Sequence, residues 1–357
     1  DGQLAALEAI GATVLANACG PCIGQWKRTD VKKGDPNAIL TSFNRNFPER
    51  NDGSSATLAF IASPEVVLAY ALSGRLDTNP LRDPIEGEAG TFRLDPPPPA
   101  PEVPPAGFAT GQDAYEAPLA DGSGVALDVR AGSERLQLLE PFPAWDGRDA
   151  ERLPVLLKAR GKCTTDHISP AGPWLRFRGH LDRISDNLFL GAVNAFTGKA
   201  GCGRDPLTGD ADVPFPKAAR NLKGKGVRWV VIGDENYGEG SSREHAAMEP
   251  RHLGCAAVIV RSFARIHESN LKKQGVLPLT FAEGTDYDRV GERDRISIRS
   301  LARLAPGKPI EAMIHHDGGA ETRISLAHTL NPEQIQWWKA GSALNVLRGA
   351  PSKGGKK

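Results

Sequence analysis

Strand-like runs alternate with helix-like segments in the second half of the chain. Residues 228–232 and 256–260 have the length and apolar content of buried strands, whereas residues 242–253 and 266–273 have the spacing of helices. This alternation is typical of a parallel sheet that is covered by helices. The pattern therefore predicts an α/β fold with a largely parallel sheet in this part of the chain.

Two further elements carry clear end signals. Ser63 and Pro64 precede an apolar stretch that ends at Gly74, which combines an N-cap, a proline at the first helical position and a C-terminal glycine. Residues 310–315 and 322–326 flank an Asp-Gly-Gly sequence, which favours a hairpin. We therefore expect a helix after Ser63 and an antiparallel pair of strands near the end of the chain.

The two ends of the chain also have readable patterns. Residues 7–18 predict the end of a helix followed by a buried strand that leads to a turn at Cys19. Near the other end, Asn331 followed by Pro332 predicts the start of an amphipathic helix. Residues 353–357 are rich in glycine and lysine, and we expect a frayed tail there.

A proline-rich stretch separates the two halves. Between residues 77 and 117 the chain contains four consecutive prolines at 96–99 and two more at 104–105. Proline lacks the amide hydrogen and fixes φ, so these residues cannot lie inside a helix or a central strand. We expect an extended, semi-rigid connector.

Composition and charge exclude several classes of protein. The 357 residues include 44 Lys and Arg against 43 Asp and Glu, with 40% hydrophobic and 24% charged residues, as in ordinary globular proteins. The net charge of +1 argues against a broad electrostatic surface for nucleic acid or an anionic membrane. No run approaches the roughly 18 apolar residues that a membrane span needs. The first residues contain neither Met nor a signal sequence, so we expect the chain to begin partway through a larger protein.

The cysteines argue against a secreted disulfide framework, because their number, five, is odd and only Cys19 and Cys22 lie close together. Their C-x-x-C spacing fits a redox dithiol, half of a zinc site, or two ligands of an iron-sulfur cluster. The spacing alone leaves that choice open.

Residues 238–243, Gly-Glu-Gly-Ser-Ser-Arg, are the most informative motif. If a helix begins at the serines, its free amide groups and dipole form an anion site, and Arg243 favours the alkoxide of Ser241 or Ser242. Such a serine acts as a base toward a C–H proton next to a carboxylate. The alternative is that the serines only cap the helix while Glu244 completes a capping box, and the local pattern favours this alternative.

Two other polar clusters are candidates for a site. Residues 163–169 contain Asp166 and His167 in a loop after a predicted strand, where doubly wound sheets place their ligands. These side chains are equally suited to stabilising the loop. Arg45 and Arg50 lie five residues apart in a turn-rich stretch and together could grip a polycarboxylate. Surface arginines, however, are commoner than such clamps.

Five segments of the chain resemble the aconitase family, mitochondrial type, in sequence and in order. They are residues 16–24, 44–52, 162–180, 233–245 and 262–267. The resemblance covers most of residues 1–350 and is weakest across the proline-rich connector and around residues 198–216. The part of the family's sequence that this chain resembles is the C-terminal part.

The resemblance implies a hydro-lyase of the tricarboxylic acid cycle that isomerises citrate to isocitrate through cis-aconitate. It also implies a 4Fe-4S cluster with three cysteine ligands, whose fourth iron acts as a Lewis acid. Cys19 and Cys22 match two of these ligands. The family's third cysteine lies upstream of the matching region, so the ligand set of this chain is incomplete, and Cys163, Cys202 and Cys255 are poor substitutes.

The resemblance also assigns roles to other residues. Ser241 matches the serine that abstracts the proton, Asp166 matches an acid near the reacting hydroxyl, and His167 supports the loop of Asp166. Six positions match substrate-binding residues of the family: Asn44, Arg45, Arg50, Arg178, Ser242 and Arg243. The family's residue at the position of Asn44 lies beside the cluster.

The domain layout follows from the same resemblance. Residues 1–110 are expected to end an α/β/α cluster-binding domain, residues 111–135 to form a linker, and residues 136–357 to form an α/β swivelling domain. We expect the chain to be inactive without an N-terminal region as its partner, and to work as a monomer in the mitochondrial matrix when complete.

Related functions are alternatives. Homoaconitase, 2-methylisocitrate dehydratase and isopropylmalate isomerase share the Gly-x-Gly-Ser-Ser-Arg motif, but residues 246–252 and Arg178 are closer to aconitase. A non-catalytic, RNA-binding relative is a second alternative. The net charge of +1 argues against it.

Overall fold

The structure is a computed structural model that describes residues 2–15, 24, 26–43, 46–87, 90–103, 105, 107–108, 111 and 115–349. The chain divides into a first unit, Asp1–Ala126, and a second unit, Leu127–Lys357. Among the helices of these described residues, none is long and apolar enough to cross a membrane. The predicted domain boundaries at residues 110 and 135 stay predictions.

The first unit contains short elements. They are α1 (Gln3–Ala9), β1 (Asn37–Thr41), β2 (Thr57–Ile61), α2 (Pro64–Ser73), β3 (Ile85–Gly87) and β4 (Gly90–Phe92). Strands β1 and β2 pair in parallel, and β3 and β4 form an antiparallel pair within the proline-rich region. No helix or strand occurs in the described residues from 93 to 126, which confirms the absence of regular structure expected for most of the connector.

Helix α2 has the predicted ends. The Ser63 hydroxyl accepts a hydrogen bond from the amide of Val66, Pro64 occupies the first helical turn, and Gly74 ends the helix with φ of 65°. The buried strand predicted before Cys19 is wrong as far as residue 15, because α1 ends at Ala9 and Leu15 is 68% exposed. Residues 16–18 lie outside the described residues.

The second unit carries most of the regular structure. Its strands are β5 (Ala150–Lys158), β6 (Cys202–Gly203), β7 (Val213–Pro214), β8 (Trp229–Gly233), β9 (Cys255–Val260), β10 (Leu277–Phe281), β11 (Arg295–Ile298), β12 (Ile310–His315) and β13 (Glu321–Ala327). Its helices are α3 (Thr165–Ile168), α4 (Leu181–Ile184), α5 (Phe215–Gly224), α6 (His245–His252), α7 (Arg265–Lys273), α8 (Asp286–Arg289), α9 (Pro332–Ala340) and α10 (Ala343–Gly349). Short 3-10 turns occur at Gly172–Phe177, Ser185–Asn187 and Leu301–Arg303.

Seven of these strands close into a barrel in the order β10-β13-β12-β11-β5-β8-β9. Strand β8 pairs in parallel with β5 and β9, and β9 pairs in parallel with β10. The other four pairs, which involve β11, β12 and β13, are antiparallel. The α/β class is confirmed, but the prediction of a largely parallel sheet is wrong. The C-terminal hairpin, which the sequence does indicate, supplies the antiparallel strands that close the ring.

The barrel has an apolar interior and an apolar outer layer. All seven strands contribute to one buried cluster, which includes Ile232, Ile259, Ile314 and Leu326. A second cluster joins the outer face of the parallel strands to helices α5, α6 and α7. Successive residues of a strand point to opposite faces, so Val230 and Ile232 belong to the interior whereas Trp229 and Val231 pack under the helices.

Most predicted boundaries in this unit are confirmed within one residue. This holds for the strands predicted at 228–232 and 256–260, for the helix at 266–273 and for the terminal hairpin. Asn331 caps α9 in a capping box with Gln334, as its position predicts. The exception is the helix predicted from residue 242, which begins three residues later, at His245.

Gly275 allows a close backbone approach that a methyl group would prevent. Its φ is +71°, and a Cβ there would lie 2.2 Å from the carbonyl oxygen of Gly341. Gly226 has a similar φ of +67° but open space around it. Gly226→Ala should therefore lower the free energy of unfolding by about 1 kcal/mol through backbone strain alone, and Gly275→Ala by about 3 kcal/mol.

Urea unfolding of the two variants beside the unchanged chain measures this difference. Equal destabilisation by the two substitutions would contradict the close approach of Gly275 and Gly341.

Candidate active site

The carboxyl ends of three parallel strands, β5, β8 and β9, lie at one edge of the barrel. The segments that follow them are residues 159–164, 234–244 and 261–264. Loops after parallel strands share one edge of a sheet, which is where open α/β folds bind ligands. The motifs around Asp166 and Ser241 follow β5 and β8 and therefore belong to this edge.

Backbone hydrogen bonds join the first two of these loops. The amide of Gly238 donates to the carbonyl oxygen of Cys163 at 2.7 Å, and the amide of Thr165 donates to that of Glu239 at 2.9 Å. The Thr165 hydroxyl donates to the carbonyl oxygen of Ser241 at 2.9 Å. Thr165 thus fixes the position of Ser241. The sequence pattern did not predict this role, since Thr165 is marked only as one of two threonines at the start of a short helix.

The segment of residues 234–244, here called the serine loop, requires glycine at two positions. Gly238 has φ of +82°, and a Cβ at this position would lie 2.3 Å from the ring of His267, which is itself buried in α7. Gly240 has φ of +117°. Only glycine adopts both conformations at low cost, so Gly238 lets the chain turn closely over the His267 ring, and Gly240 lets it approach Thr165, whose Oγ1 would lie 3.2 Å from a Cβ.

The serines lie in this loop and do not start the helix. Helix α6 begins at His245, and its N-cap, Glu244, makes no side-chain capping bond. Neither the helix start at the serines nor the capping box is therefore present. In the described part of the chain the hydroxyls of Ser241 and Ser242 have no hydrogen-bond partner. Ser241 is half-buried and Ser242 is exposed, so both can meet a ligand.

Arg243 joins the two motifs electrostatically. Its guanidinium forms an ion pair with Asp166 at 2.5 Å and donates to the carbonyl oxygen of Ser169 at 3.0 Å. The side chain of Arg243 is only 13% exposed, whereas that of Asp166 is 53% exposed. The structure therefore brings together three of the predicted residues, Ser241, Asp166 and Arg243.

A buried carboxyl lies behind this ion pair. Glu249 of α6 is fully buried, and its Oε1 accepts a hydrogen bond of 2.7 Å from the Ser169 hydroxyl. Burial raises the pKa of Glu249 well above its ordinary value, although the Ser169 bond and nearby Arg243 oppose the shift. No local signal in the sequence marks Glu249 as buried, because a glutamate in a helix is ordinarily exposed.

His167 holds the end of its own loop. It accepts at Nδ1 from the amide of Thr164 at 3.2 Å, while its own amide donates to the Thr164 hydroxyl at 3.2 Å. These two bonds form a capping box at the start of α3. Gly191 packs on His167, where a Cβ would lie 2.9 Å from the His167 Cα.

Arg178 lies after the 3-10 turn Gly172–Phe177 and is exposed. Its carbonyl oxygen accepts a hydrogen bond of 2.8 Å from Nε2 of His245, the first residue of α6. Arg178 lines a cleft together with residues 130–136. The chain segment of Arg178 is thus tied to the helix that follows the serine loop.

In the first unit only one of the predicted site residues is described. Arg50 is 8% exposed, and its guanidinium carbon lies 5.2 Å from the centre of the Phe47 ring. The other four positions, Cys19, Cys22, Asn44 and Arg45, lie outside the described residues.

The described cysteines do not form a metal site. Cys163 and Cys255 are buried, and burial raises the pKa of each thiol to about 12. They are therefore neutral thiols at physiological pH, whereas metal ligands are thiolates. Within the described ranges, no three His, Cys, Asp or Glu side chains are grouped so that they could hold a metal ion.

Two family models match the chain. The model of the aconitase family (aconitate hydratase) matches residues 1–74, and that of the aconitase C-terminal domain matches residues 153–284. Mitochondrial aconitate hydratase of Gracilaria gracilis is 55% identical over 98% of this chain and 44% of its own length. That of Saccharomyces cerevisiae is 54% identical over 98% of this chain and 45% of its own length. The chain thus spans less than half the length of these relatives.

A solved structure of a 3-isopropylmalate dehydratase from Methanocaldococcus jannaschii is also similar. It is 22% identical, with 56% of this chain and 92% of that chain covered, and its TM-score is 0.36.

His267 should make stability depend on pH. Burial lowers its pKa to about 4 from an ordinary value of 6.5. Between these values the unfolded chain binds a proton that the folded chain excludes, so stability falls as the pH falls from 6.5 to 4, by about 3 kcal/mol in total. His267→Gln, which does not titrate, should flatten this part of the curve.

The measurement is the free energy of unfolding in urea at several pH values for both chains. If the two pH profiles run parallel between pH 6.5 and pH 4, His267 is not held neutral in the folded state.

Proposed function

Because this chain belongs to the aconitase family, we propose that it is the part of an aconitate hydratase that abstracts the proton and binds substrate carboxylates. The reaction is the reversible isomerisation of citrate to isocitrate through cis-aconitate, in the tricarboxylic acid cycle. The observation that carries the proposal is the serine loop, held beside Asp166 and Arg243 by the bonds of Thr165 to Glu239 and Ser241. The relatives named above are called mitochondrial, and we propose the mitochondrial matrix as the location.

Ser241 is proposed as the base of the dehydration step. Its oxygen takes the proton from the carbon next to a carboxylate, and the electron pair of that C–H bond becomes the double bond of cis-aconitate. The hydroxyl group on the neighbouring carbon leaves as water after it takes up a proton, and we propose that the acid that supplies this proton lies in the part of the enzyme outside this chain. The charge of the neighbouring Arg243 favours an alkoxide at Ser241. The free hydroxyl of Ser241 is consistent with this role, because no protein acceptor competes for it among the described residues.

Arg243 and Asp166 are proposed to act as a pair. The Ser169 carbonyl and Asp166 both contact Nη1 of Arg243, which leaves Nη2 and Nε for a substrate carboxylate. Asp166 is half-exposed, and we propose that its carboxylate accepts a hydrogen bond from the reacting hydroxyl, while His167 keeps the start of α3 in place. Placing the reacting groups in the right geometry lowers the barrier, because the entropy of bringing them together is already lost on binding.

The remaining proposed contacts are to the carboxylates of a small tricarboxylate. Arginine suits them because its planar fork binds a carboxylate through two parallel hydrogen bonds. The residues proposed for this role in addition to Arg243 are Asn44, Arg45, Arg50, Arg178 and Ser242.

We propose that this chain supplies only some of the ligands of the family's cofactor. Cys19 and Cys22 are the proposed ligands of a 4Fe-4S cluster. The buried thiols of Cys163 and Cys255 do not fit the role of a third ligand, since burial opposes the thiolate. We propose that the third ligand comes from a region of the enzyme outside this chain.

The direct test is turnover of citrate by the enzyme that contains this chain, with its cluster reconstituted without oxygen and its iron content measured. Formation of cis-aconitate, followed by its ultraviolet absorbance, supports the proposal. Turnover of homocitrate-derived or methyl-substituted acids without turnover of citrate would instead assign the chain to a related hydro-lyase.

Ser241→Ala should lower kcat by about 100-fold to 10,000-fold, because it removes the general base, and should change KM much less. The iron content should stay the same. Ser269→Ala is the matched control, because the Ser269 hydroxyl only donates to the Arg265 carbonyl of its own helix at 3.1 Å; its kcat should stay unchanged. A Ser241→Ala enzyme with more than a third of normal kcat would exclude Ser241 as the base.

A further inference from the structure

We propose that an arginine-lined cleft in the second unit captures the tricarboxylate, and that Arg135 and Arg176 bind it together with Arg178. The cleft has a volume of about 750 Å³ and lies between residues 130–136 and the turn that ends at Gly179. This inference rests on the proposed function, because it takes the ligand from that reaction.

The cleft concentrates positive charge. Four arginines line it: Arg130, Arg135, Arg176 and Arg178. The acidic residue in its lining, Glu134, already forms an ion pair with Arg183 at 3.3 Å. Among the described residues, none of the four lining arginines has an acidic partner. Four exposed cations without counter-charges favour a polyanion as ligand.

The backbone brings these arginines to one place. The amide of Gln137 donates to the carbonyl oxygen of Gly179 at 2.9 Å, and Leu136 pairs with Gly179 in a parallel bridge. A Cβ on Gly179 would lie 2.7 Å from the carbonyl oxygen of Arg135. The absence of a side chain at Gly179 is therefore what allows Arg135 to lie next to the segment of Arg178.

Two of the lining arginines are further restrained, one at its guanidinium and one at its backbone. The guanidinium of Arg176 lies 4.4 Å from the centre of the Phe177 ring, a cation–π contact. The Ser133 hydroxyl accepts from the amides of Arg135 at 3.4 Å and of Leu136 at 3.1 Å, which fixes the backbone of the turn that contains Arg135. Both restraints lower the conformational entropy that is lost when a ligand binds.

The chemistry matches a small tricarboxylate. A volume of about 750 Å³ lies within the range of small-molecule sites. Each carboxylate can accept two parallel hydrogen bonds from one guanidinium, so a tricarboxylate captured in the cleft can engage Arg135, Arg176 and Arg178 before it moves to the residues proposed above for the reaction. Phosphate groups bind arginine by the same geometry, so the experiment has to distinguish the two.

The experiment is calorimetric titration of the full 357-residue chain with tricarballylate, a tricarboxylate that lacks the reacting hydroxyl. The double variant Arg135→Gln/Arg176→Gln should bind about tenfold more weakly, on the basis of two exposed charge contacts, and the affinity of the unchanged chain should fall as salt rises. Arg303→Gln is the control, because Arg303 is an exposed arginine outside the cleft. It should bind within a factor of about two of the unchanged chain. Unchanged affinity of the double variant would overturn the proposal.

Gly179→Ala tests the geometry without changing a charge. The added methyl group should push Arg135 away from Arg178 and weaken tricarballylate binding by a factor similar to that of the double variant. Circular dichroism and thermal unfolding show whether this variant keeps its fold; if it does not, the double variant decides the question. A folded Gly179→Ala chain with normal affinity would overturn the geometric part of the proposal.

Pyrophosphate as the second titrant distinguishes the two ligand chemistries. Tighter binding of pyrophosphate than of tricarballylate, with the same dependence on Arg135 and Arg176, would make the cleft a phosphate site and overturn the proposal. The proposed function can fail separately: an enzyme that binds tricarballylate in the cleft but never forms cis-aconitate would leave the cleft assignment standing. The reverse result is also possible to recognise. Normal turnover of citrate together with unchanged tricarballylate binding by the double variant would support the proposed function and overturn the assignment of the cleft.

Discussion

The backbone contact between the loops after β5 and β8 is the constraint on which the site depends. The amides of Gly238 and Thr165 donate across this contact to Cys163 and Glu239, and they fix two loops that are far apart in sequence as one surface. The contact exists because β5 and β8 are parallel neighbours, so their carboxyl ends share an edge. It also requires the tight turn at Gly238, since a side chain there would meet the His267 ring.

The charges of the site are arranged behind this surface. Asp166 and the Ser169 carbonyl oxygen both contact Nη1 of Arg243, while the hydroxyl of Ser169 donates to buried Glu249. An ionised carboxylate in this position would be costly without a paired cation, and burial raises the pKa of Glu249 accordingly. The chain of contacts therefore presents Arg243 to the site with little freedom, and leaves Ser241 beside it with a free hydroxyl.

Closure of the barrel explains why a parallel half and an antiparallel half coexist. The parallel strands β5, β8, β9 and β10 carry helices on their outer face, whereas β11, β12 and β13 follow one another as antiparallel neighbours. Ring closure leaves no open edge on this sheet. It also encloses one apolar cluster inside the ring, to which every strand contributes.

Local signals in the sequence determined the elements that depend on neighbouring residues: α2 with its Ser63 cap and Gly74 end, the terminal hairpin, the cap at Asn331, and the two buried strands around residues 230 and 258. They also indicated the chemical groups at Ser241, Asp166 and Arg243. Only the tertiary structure decided that the sheet closes into a barrel, that α6 begins at His245, and that Glu249 is buried. These outcomes depend on contacts between segments that are distant in the sequence. One of them, the hydrogen bond from the Thr165 hydroxyl to the Ser241 carbonyl, holds Ser241 in the loop, although the local pattern favours a helix that starts at Ser241 and Ser242.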